Sequence, residues 1–431
     1  MTTVCIDGFN LALQQGSGIA TYARNLLVDL NAIGYETQVL YGPKGKIGDN
    51  DALNEAILVD SERSGKPPKR ASRYLRTMAA TVGVSAHFIP RTGRVIWPED
   101  GAAQPPAASF WSSRDLFRTS HRAFQRYGTT SRLHFTGAPK PDIIHWTTPL
   151  PLHAAGSVNI CTIHDLIPLR LPHSTSDDKK SFYDLFKKSA GTSDHIITVS
   201  ETTRNDVISS LGVPEDKVTN VYQSVSIPQH ALGMSDFELS RNLFEVFGLK
   251  WKDYFIHYGN IEPKKNLGRL FESFSQAETA RTLVIVGGKG WLRENEISLM
   301  QQVVSLESPL AKRVIYLEYL PLITLVGLVR GARATLFPSL YEGFGLPIVE
   351  SMALGTAVLT SNFGAPKEIA SSAAALVNPL SVGSIKLGIE ALDRDNNLLR
   401  RLEHDGRKRA LQFSPEHTQA RLKEVYQRLH G

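Results

Sequence analysis

The sequence is poor in cysteine and has no long apolar run. Cys5 and Cys161 are the two cysteines among 431 residues, and both lie in apolar segments. Such a pair is typical of reduced core thiols in a cytoplasmic protein and does not make a disulfide framework. The longest apolar stretch, residues 314–329, is interrupted by Glu318 and Pro321, and it is too short and broken to span a bilayer. The first residues show no basic n-region and no long apolar h-region, so we expect no secretory signal.

Clusters of histidine and cysteine at metal-ligand spacing are also missing from the sequence. We therefore expect a protein that needs no metal ion or other cofactor. The sequence contains no recognisable nucleic-acid-binding module, so nucleic acid is not an expected partner.

Basic charge is concentrated in one segment. Residues 60–140 hold fourteen Lys and Arg against five acids, a balance of +9, while the whole chain carries +6. Such a local excess points to an anionic partner. Within this segment arginines recur every four residues and phenylalanines every seven, which predicts one helix with a basic stripe beside an aromatic stripe. The residues are Arg114, Arg118, Arg122 and Arg126, and Phe110, Phe117 and Phe124.

This helix has two interpretations, which the sequence leaves open. It could lie on an anionic membrane surface or clamp a lipid-linked diphosphate acceptor. Alternatively, it is an ordinary amphipathic helix whose phenylalanines belong to the core.

Short β-rich runs alternate with helical patterns along the whole chain, which predicts an α/β protein with parallel sheets covered by helices. Periodicity is lost between Ser226 and Ser235, where we place a linker. We expect two doubly wound, Rossmann-like domains facing each other across a cleft, with ligands beyond the carboxyl ends of the strands. The predicted parts are residues 1–227 with a basic insertion of loop and helix at about 61–140, residues 236–412, and a helix at 413–431 that packs back on the first domain.

The sharpest motif is the segment Phe337–Glu350, in which a buried strand is followed by a glycine-rich loop and a helix. The helix start offers free amides and a positive dipole end, which suit a diphosphate. Glu342 precedes this helix and Glu350 lies about one turn inside it. Each carboxylate could accept hydrogen bonds from the vicinal hydroxyls of a sugar or a ribose.

A second motif runs from Tyr258 to Asn266 and places Lys264 and Lys265 where a helix is expected to begin. Positive charges are unfavourable at the start of a helix, where the helix dipole is also positive. A bound polyanion would explain why two lysines stand there. Two weaker signals are Gly18, which opens the first helix after a Gly-Ser-Gly turn, and His164 at a strand end.

These motifs resemble the retaining GT-B glycosyltransferases of family 4. The resemblance implies that Glu342 contacts the transferred sugar and Glu350 the ribose. It further implies that the amides of Phe344, Gly345 and Leu346 contact sugar or phosphate. Lys265 matches the lysine of the diphosphate clamp, whereas Asn260 stands where the family often has arginine. Whether Lys264 replaces that arginine is left open.

By the same resemblance, Gly18 lies near the diphosphate and His164 faces the donor sugar. The predicted catalytic residues are His164, Lys265 and Glu342. The predicted donor-binding residues are Gly18, Asn260, Lys264, Lys265, Gly343, Phe344, Gly345, Leu346 and Glu350.

The segments around His164 and Asn260 are most similar to bacterial mannosyl- and rhamnosyltransferases of surface polysaccharide (O-antigen) assembly. We therefore expect transfer of a hexose from a nucleotide diphosphate sugar, GDP-mannose first, to a glycan or polyprenyl-diphosphate-linked acceptor. The expected location is the cytoplasm, with peripheral binding to the inner face of the membrane. The alternatives are a sugar-phosphate synthase, phosphorylase or epimerase of the same fold, and a non-catalytic scaffold that binds nucleotide sugars.

Overall fold

The computed structural model describes residues 1–11, 18–45, 47–59, 70–97, 105–288, 298–299, 302–303, 305, 310–318 and 320–430. Two sheets organise these residues, one formed by the first half of the chain and one by the second. We call each sheet with its covering helices the N-terminal and the C-terminal lobe.

The sheet of the N-terminal lobe has the strand order β10-β9-β8-β6-β1-β2-β4-β3-β5-β7. Its described pairs are parallel except for β3 with β4. Central strands are buried runs rich in Val and Ile, as expected where helices cover both faces. The strands are β1 Thr3–Asp7, β2 Glu36–Tyr41, β3 Val84–Pro90, β4 Ser109–Ser112, β5 Ser131–Thr136, β6 Ile143–Trp146, β7 Leu152–Ala154, β8 Val158–Ile163, β9 His195–Thr198 and β10 Val218–Asn220.

The sheet of the C-terminal lobe is parallel throughout its described pairs, in the order β13-β12-β11-β14-β15-β16. Its strands are β11 Tyr254–Tyr258, β12 Thr282–Val286, β13 Val314–Leu317, β14 Ala334–Phe337, β15 Ala357–Ser361 and β16 Ala375–Val377. The prediction of two doubly wound α/β units is confirmed.

Helices alternate with the strands in both lobes. In the N-terminal half they are α1 Gly18–Ala32, α2 Asp51–Val59, α3 Arg70–Val82, α4 Leu116–Tyr127, α5 Ile167–Arg170, α6 Lys179–Thr192, α7 Glu201–Leu211 and α8 Gln229–Leu232. Those that follow are α9 Asp236–Phe247, α10 Leu267–Gln276, α11 Leu322–Gly331, α12 Leu346–Ala353, α13 Gly364–Ala370, α14 Val382–Arg394, α15 Asn396–Ala410 and α16 Pro415–His430. Short 3-10 turns are formed by Pro172–Ser174, Glu215–Lys217, Pro263–Lys265 and Leu411–Phe413.

The basic segment differs from the expected insertion of loop and helix, because β3, β4 and β5 are integral strands of the N-terminal sheet. The expected single helix is also wrong in extent. Phe110 lies in β4, and Arg114 precedes α4, which begins only after Asp115 turns the backbone through the left-handed region at φ 53°. Phe110, Phe117 and Phe124 are all buried, so the aromatic stripe belongs to the core.

The last helix, α16, packs against α1 of the N-terminal lobe. Its Tyr426 hydroxyl lies 2.5 Å from Nδ1 of His145 on β6, and Nε2 of His145 lies 2.6 Å from the Thr162 hydroxyl. Tyr22 of α1 completes this buried series of hydrogen bonds with a 2.8 Å bond to Thr162. Burial, reinforced by His164, lowers the pKa of His145 to about 3, so the ring is neutral and joins its neighbours through hydrogen bonds alone.

Candidate active site

The loop after β14 reverses sharply before α12. Gly345 adopts φ +102°, a left-handed conformation that favours glycine, and α12 begins at the next residue with Pro347 in its first turn. A proline there forfeits no helical hydrogen bond, and the first amides of the helix have no partner within it. The neighbouring Phe344 is buried and packs edge-on against Phe413 at 5.5 Å. The start of α12 is thereby fixed at the carboxyl end of the sheet.

Glu342 and two lysines form a buried charge cluster beside this loop. The Lys265 ammonium donates to Oε1 of Glu342 at 2.7 Å, and the Lys264 ammonium lies 3.8 Å from Oε2. Lys264 also lies 3.3 Å from Glu262. Lys265 and Glu342 are 8% and 6% exposed, so water screens their charges weakly.

The contacts within this cluster favour the ionised forms of Glu342 and Lys264. Burial alone would raise the pKa of Glu342, but the ammonium groups of Lys265 and Lys264 outweigh burial and hold it below its usual value. Burial opposes the charge of Lys264 in the same way, yet Glu342, Asp165 and Glu262 together raise its pKa. Since Asp165 follows β8, a carboxylate of the N-terminal lobe acts on a lysine of the C-terminal lobe.

Backbone and amide hydrogen bonds join the two loops that carry this cluster. The Leu340 amide donates to the Lys264 carbonyl at 2.7 Å. The Asn266 side chain donates to the carbonyls of Pro338 and Pro379 at 3.0 and 2.7 Å. Because β11 and β14 are neighbours in the sheet, the loops that follow them meet, which brings the two predicted motifs together.

The other predicted residues of this lobe lie around the cluster. Glu350 is partly buried inside α12. Burial raises its pKa, although the Tyr258 hydroxyl acts in the opposite direction. The Tyr258 hydroxyl also donates to the Pro347 carbonyl at 2.9 Å. Gly259 has φ +130°, and a Cβ there would stand 4.0 Å from Cε of Lys265, whereas Asn260 is exposed on the same loop.

His164 faces this loop from the N-terminal lobe. Its Nε2 donates to the Thr147 carbonyl at 2.8 Å, and its ring meets Tyr22 edge-on at 4.8 Å. Burial lowers the pKa of His164 against the opposing effects of Thr147 and Asp165, so the ring is neutral near pH 7 and its Nδ1 is an acceptor. The carbonyl of His164 lies so close to Gly343 that a Cβ at Gly343 would overlap it.

Direct hydrogen bonds cross the cleft at the same point. Ser200, which precedes α7, donates to the Gly343 carbonyl at 2.6 Å, and Thr203 lies 3.2 Å from that oxygen. At the start of α1, a Cβ on Gly18 would lie 3.7 Å from Leu346 at the start of α12. The N-termini of two helices, one from each lobe, thus open toward the same space. Gly16 and Ser17 of the predicted turn lie outside the described residues.

Two further cross-lobe contacts were not predicted. Tyr341 donates to Asp206 of α7, which also binds Arg170. Glu368 of α13 accepts from the amides of Glu201 and Thr202 at 2.7 and 2.8 Å, and so caps α7 from the opposite lobe. The contact of Ser200 with Gly343 was not predicted either, but the sequence could have indicated Ser200 as a helix N-cap, because it stands between a buried strand and a helix. Glu368 had no comparable signal, because its partner lies in the other lobe.

The four predicted arginines of the basic segment contact residues other than those of this cluster. Arg114 donates to the Lys44 carbonyl at 2.9 Å, and Arg118 and Arg122 lie 3.9 and 3.6 Å from Asp115. The Arg126 guanidinium lies over the Tyr74 ring at 5.0 Å.

Within the described part of the chain, no three His, Cys, Asp or Glu side chains form a group that could hold a metal ion. None of the described helices is long and apolar enough to cross a membrane.

Two protein families match the chain, one for each lobe. The family described as Glycosyltransferase Family 4 matches residues 16–227, and Glycosyl transferases group 1 matches residues 241–409. Together they take in most of the sequence. The chain is a family 4 glycosyltransferase. The predictions of the family, the fold and the enzyme class are therefore confirmed.

Named relatives of this glycosyltransferase include O-antigen enzymes. It is 26% identical over 275 residues to O-antigen chain mannosyltransferase B of Escherichia coli, covering 63% of this chain and 70% of that protein. It is 29% identical over 254 residues to O-antigen chain mannosyltransferase RfbU of Salmonella typhimurium, covering 57% of this chain and 66% of that one. The matches thus span about two thirds of the length of these relatives.

Solved structures resemble the glycosyltransferase over its whole length. Sucrose-phosphate synthase from Thermosynechococcus elongatus superposes with a TM-score of 0.67 at 16% identity, covering 100% of this chain and 99% of that one. HepE of Anabaena in complex with UDP and glucose gives 0.66 at 15% identity, with both chains covered completely. At such identities the likeness establishes the two-lobed GT-B fold alone.

Proposed function

We propose that this glycosyltransferase transfers a hexose from a nucleotide diphosphate sugar with retention of the anomeric configuration. Mannose from GDP-mannose is the first choice, with GDP- or dTDP-rhamnose and UDP-hexoses behind it. The observation that carries the proposal is the buried Lys265–Glu342 pair facing His164 across the cleft. The names of the O-antigen mannosyltransferase relatives support the choice of mannose.

In the proposed reaction the donor diphosphate lies between the two helix starts and the lysines. Lys265, Lys264 and the dipole ends of α1 and α12 stabilise the negative charge that develops as the diphosphate leaves. This arrangement uses no metal ion. Gly343, Phe344, Gly345 and Leu346 contribute the loop backbone, and Gly18 and Asn260 line the remaining sides of the diphosphate site.

The remaining polar residues are assigned to the sugar and the ribose. The ionised Glu342 accepts hydrogen bonds from sugar hydroxyls, and neutral His164 orients the same ring from the opposite lobe. Glu350 accepts the ribose hydroxyls. We favour a front-side mechanism in which the departing phosphate oxygen takes the proton of the acceptor hydroxyl, so that the new glycosidic bond forms on the face from which the diphosphate leaves.

We further propose a glycan or polyprenyl-diphosphate-linked acceptor in surface polysaccharide synthesis. The enzyme would then work in the cytoplasm and bind peripherally to the inner face of the membrane. The basic face of the N-terminal lobe, with Arg118 and Arg126 exposed on α4, supports this location because anionic lipids attract it.

A thermal-shift series followed by a transfer assay tests the proposal. GDP should raise the melting temperature more than UDP, dTDP or ADP, since a ligand that binds the folded form stabilises it. GDP-mannose should then yield an α-linked product, read from the anomeric proton by NMR. If only another nucleotide stabilises the protein, GDP-mannose is not the donor and a sugar carried by that nucleotide takes its place. A product of inverted configuration would refute retention. Turnover of a soluble sugar phosphate instead would favour a synthase.

A further inference from the structure

One face of helix α7 borders the loop that carries Glu342. Ser200, Thr203 and Asp206 follow one another at intervals of three residues, a spacing that places their side chains along one side of the helix. Each of the three is at most 2% exposed, and Ser200 is the N-cap residue. Buried polar groups cost stability unless they are hydrogen-bonded, so their partners identify the segment that this face holds.

The partners are the two residues that flank Glu342. On one side, the Ser200 hydroxyl donates to the Gly343 carbonyl at 2.6 Å. On the other side, the Asp206 carboxylate accepts from the Tyr341 hydroxyl. The backbone from which the Glu342 side chain extends is therefore held on both sides by one helix of the opposite lobe.

Asp206 is a buried carboxylate with two donors. Its Oδ1 accepts from Nε of Arg170 at 2.8 Å, and its Oδ2 accepts from Tyr341. Burial and the Asp206 carboxylate raise the pKa of the Tyr341 hydroxyl, so the phenol stays protonated and can donate. Hydrogen bonds to a carboxylate are stronger than those between neutral partners. We therefore expect the Asp206–Tyr341 bond to contribute more than the bond of Ser200 to the Gly343 carbonyl.

The same face of α7 contacts the segment that carries His164. The Thr203 hydroxyl lies 3.1 Å from the His164 carbonyl, and Arg170 ends α5, the short helix that follows His164. Glu368 of α13 accepts from the first amides of α7 and so fixes the start of the helix. One helix thus contacts both segments, those of His164 and Glu342, whose side chains are assigned to the sugar.

We propose that Asp206 is a positioning residue of the transfer reaction, acting through the Tyr341 hydroxyl to hold Glu342 against the sugar. The lysines fix the end of the Glu342 side chain, and α7 fixes the backbone on either side of it. Without the phenol contact the backbone can shift while the lysines still hold the carboxylate. A shift of about 1 Å at reacting groups can lower the rate about a hundredfold. The inference rests on the proposed function in assigning Glu342 to the sugar.

Kinetics and calorimetric titration of Tyr341→Phe test the proposal on the full chain. This variant keeps the ring and removes only the donor to Asp206. It should lower kcat for hexose transfer about tenfold to a hundredfold, the contribution of one hydrogen bond to a charged group. It should bind GDP like the wild type and GDP-mannose more weakly, because only the sugar contact is displaced. Tyr183→Phe, whose hydroxyl accepts from Lys187 of its own helix at 3.2 Å, is the matched control and should behave like the wild type.

A double-mutant cycle separates positioning from a contact that only supports the fold. Asp206→Asn leaves one acceptor oxygen for two donors, so it should lower kcat as Tyr341→Phe does. The double variant should be no slower than the slower single variant, because both remove one interaction. Losses that multiply would overturn the proposal, since the two residues would then act independently. A loss in Asp206→Asn with full kcat in Tyr341→Phe would assign the effect to Arg170 and also overturn it.

Glu368→Gln distinguishes positioning from lobe closure in general. It weakens the contact of α13 with the start of α7, outside the Glu342 loop. We expect a smaller loss of kcat than in Tyr341→Phe, and the same difference in affinity between GDP and GDP-mannose as in the wild type. A loss in Glu368→Gln that equals the loss in Tyr341→Phe in both measurements would contradict the positioning role.

Failure of the proposed donor has a different signature. If the wild type transfers a hexose only from another nucleotide sugar, the variants are assayed with that sugar, and a loss of kcat supports the role of Asp206 while the mannose assignment is wrong. If the wild type transfers mannose and Tyr341→Phe equals it in kcat and in affinity for GDP-mannose, only the positioning inference is wrong. If the wild type transfers no hexose, equal affinity of both proteins for GDP-mannose would overturn the inference together with the reaction.

Discussion

The contact at Gly343 allows a sharp test of lobe closure. A Cβ at this position would lie 2.9 Å from both Cβ of Asp165 and the carbonyl carbon of His164, with the His164 oxygen closer still. Carbon atoms settle at about 3.5–4.0 Å, so Gly343→Ala should push the lobes apart locally by roughly 1 Å. The backbone of Gly343 lies outside the left-handed region, so alanine adds no strain of its own.

The expected effect on catalysis follows from that displacement. Moving reacting groups by about 1 Å can lower turnover about a hundredfold. Binding of GDP should change little, because Glu350 and both lysines belong to the C-terminal lobe. The Ser200→Ala variant removes the 2.6 Å bond to the Gly343 carbonyl together with the 3.0 Å N-cap bond from the Thr203 amide, but it creates no overlap between the lobes. A loss of about 1 kcal/mol at the Gly343 carbonyl predicts a smaller effect on turnover than that of Gly343→Ala, within about tenfold.

Steady-state kinetics and calorimetric titration with GDP measure the two quantities separately. Gly191→Ala in α6, where no described atom lies within 4 Å of the new Cβ, serves as the control and should behave like the wild type. Full turnover in Gly343→Ala would show that the catalytic state does not close at this contact. An equal loss of GDP affinity would place the damage in the Glu342 loop instead.

Three other substitutions test charged residues. Glu350→Ala should weaken GDP binding by about tenfold to a hundredfold, the worth of a charge-assisted hydrogen bond, and unchanged affinity in titration calorimetry would remove the ribose assignment. Lys265→Ala should lower kcat about a hundredfold, and a near-wild-type rate would transfer the role to Lys264. Burial raises the pKa of Asp29 to about 6, so the folded state binds a proton that the unfolded chain releases from about pH 4 upward. Asp29→Asn should therefore gain stability over the wild type as pH rises from 4 to 6 in urea titrations, and a constant difference would contradict this.

Local patterns predicted most of the core strands. Tyr254–Tyr258, Thr282–Val286 and Ala334–Phe337 are buried runs of β-branched and aromatic residues bounded by turns, the β-rich pattern that alternates with helical patterns along the sequence. Strand β4 was missed because a serine stands at each of its ends within the irregular basic segment, and β3 because it contains polar residues and ends in proline. Both are fixed by pairing with distant strands, which a local pattern does not encode.

The four-residue arginine period misled the helix assignment for a related reason. It continues through Asp115, whose left-handed backbone separates Arg114 from α4. The loops of Lys265 and Glu342 could be singled out individually from their glycines and charges. Their pairing across 77 residues depends on β11 and β14 becoming neighbours, and the contacts of Gly343 and Glu368 depend on how the lobes meet.

The position of α16 has a consequence for folding of the chain during its synthesis on the ribosome. Tyr426 fills the core of the lobe that is synthesised first, and Leu422 and Val425 pack in the same cluster as Leu26 and Leu30 of α1. A nascent N-terminal lobe therefore exposes the apolar surface that α16 will cover, while some two hundred further residues are translated. Its folding becomes complete only when the last helix arrives, so chaperones that shield apolar surface should engage it during that interval.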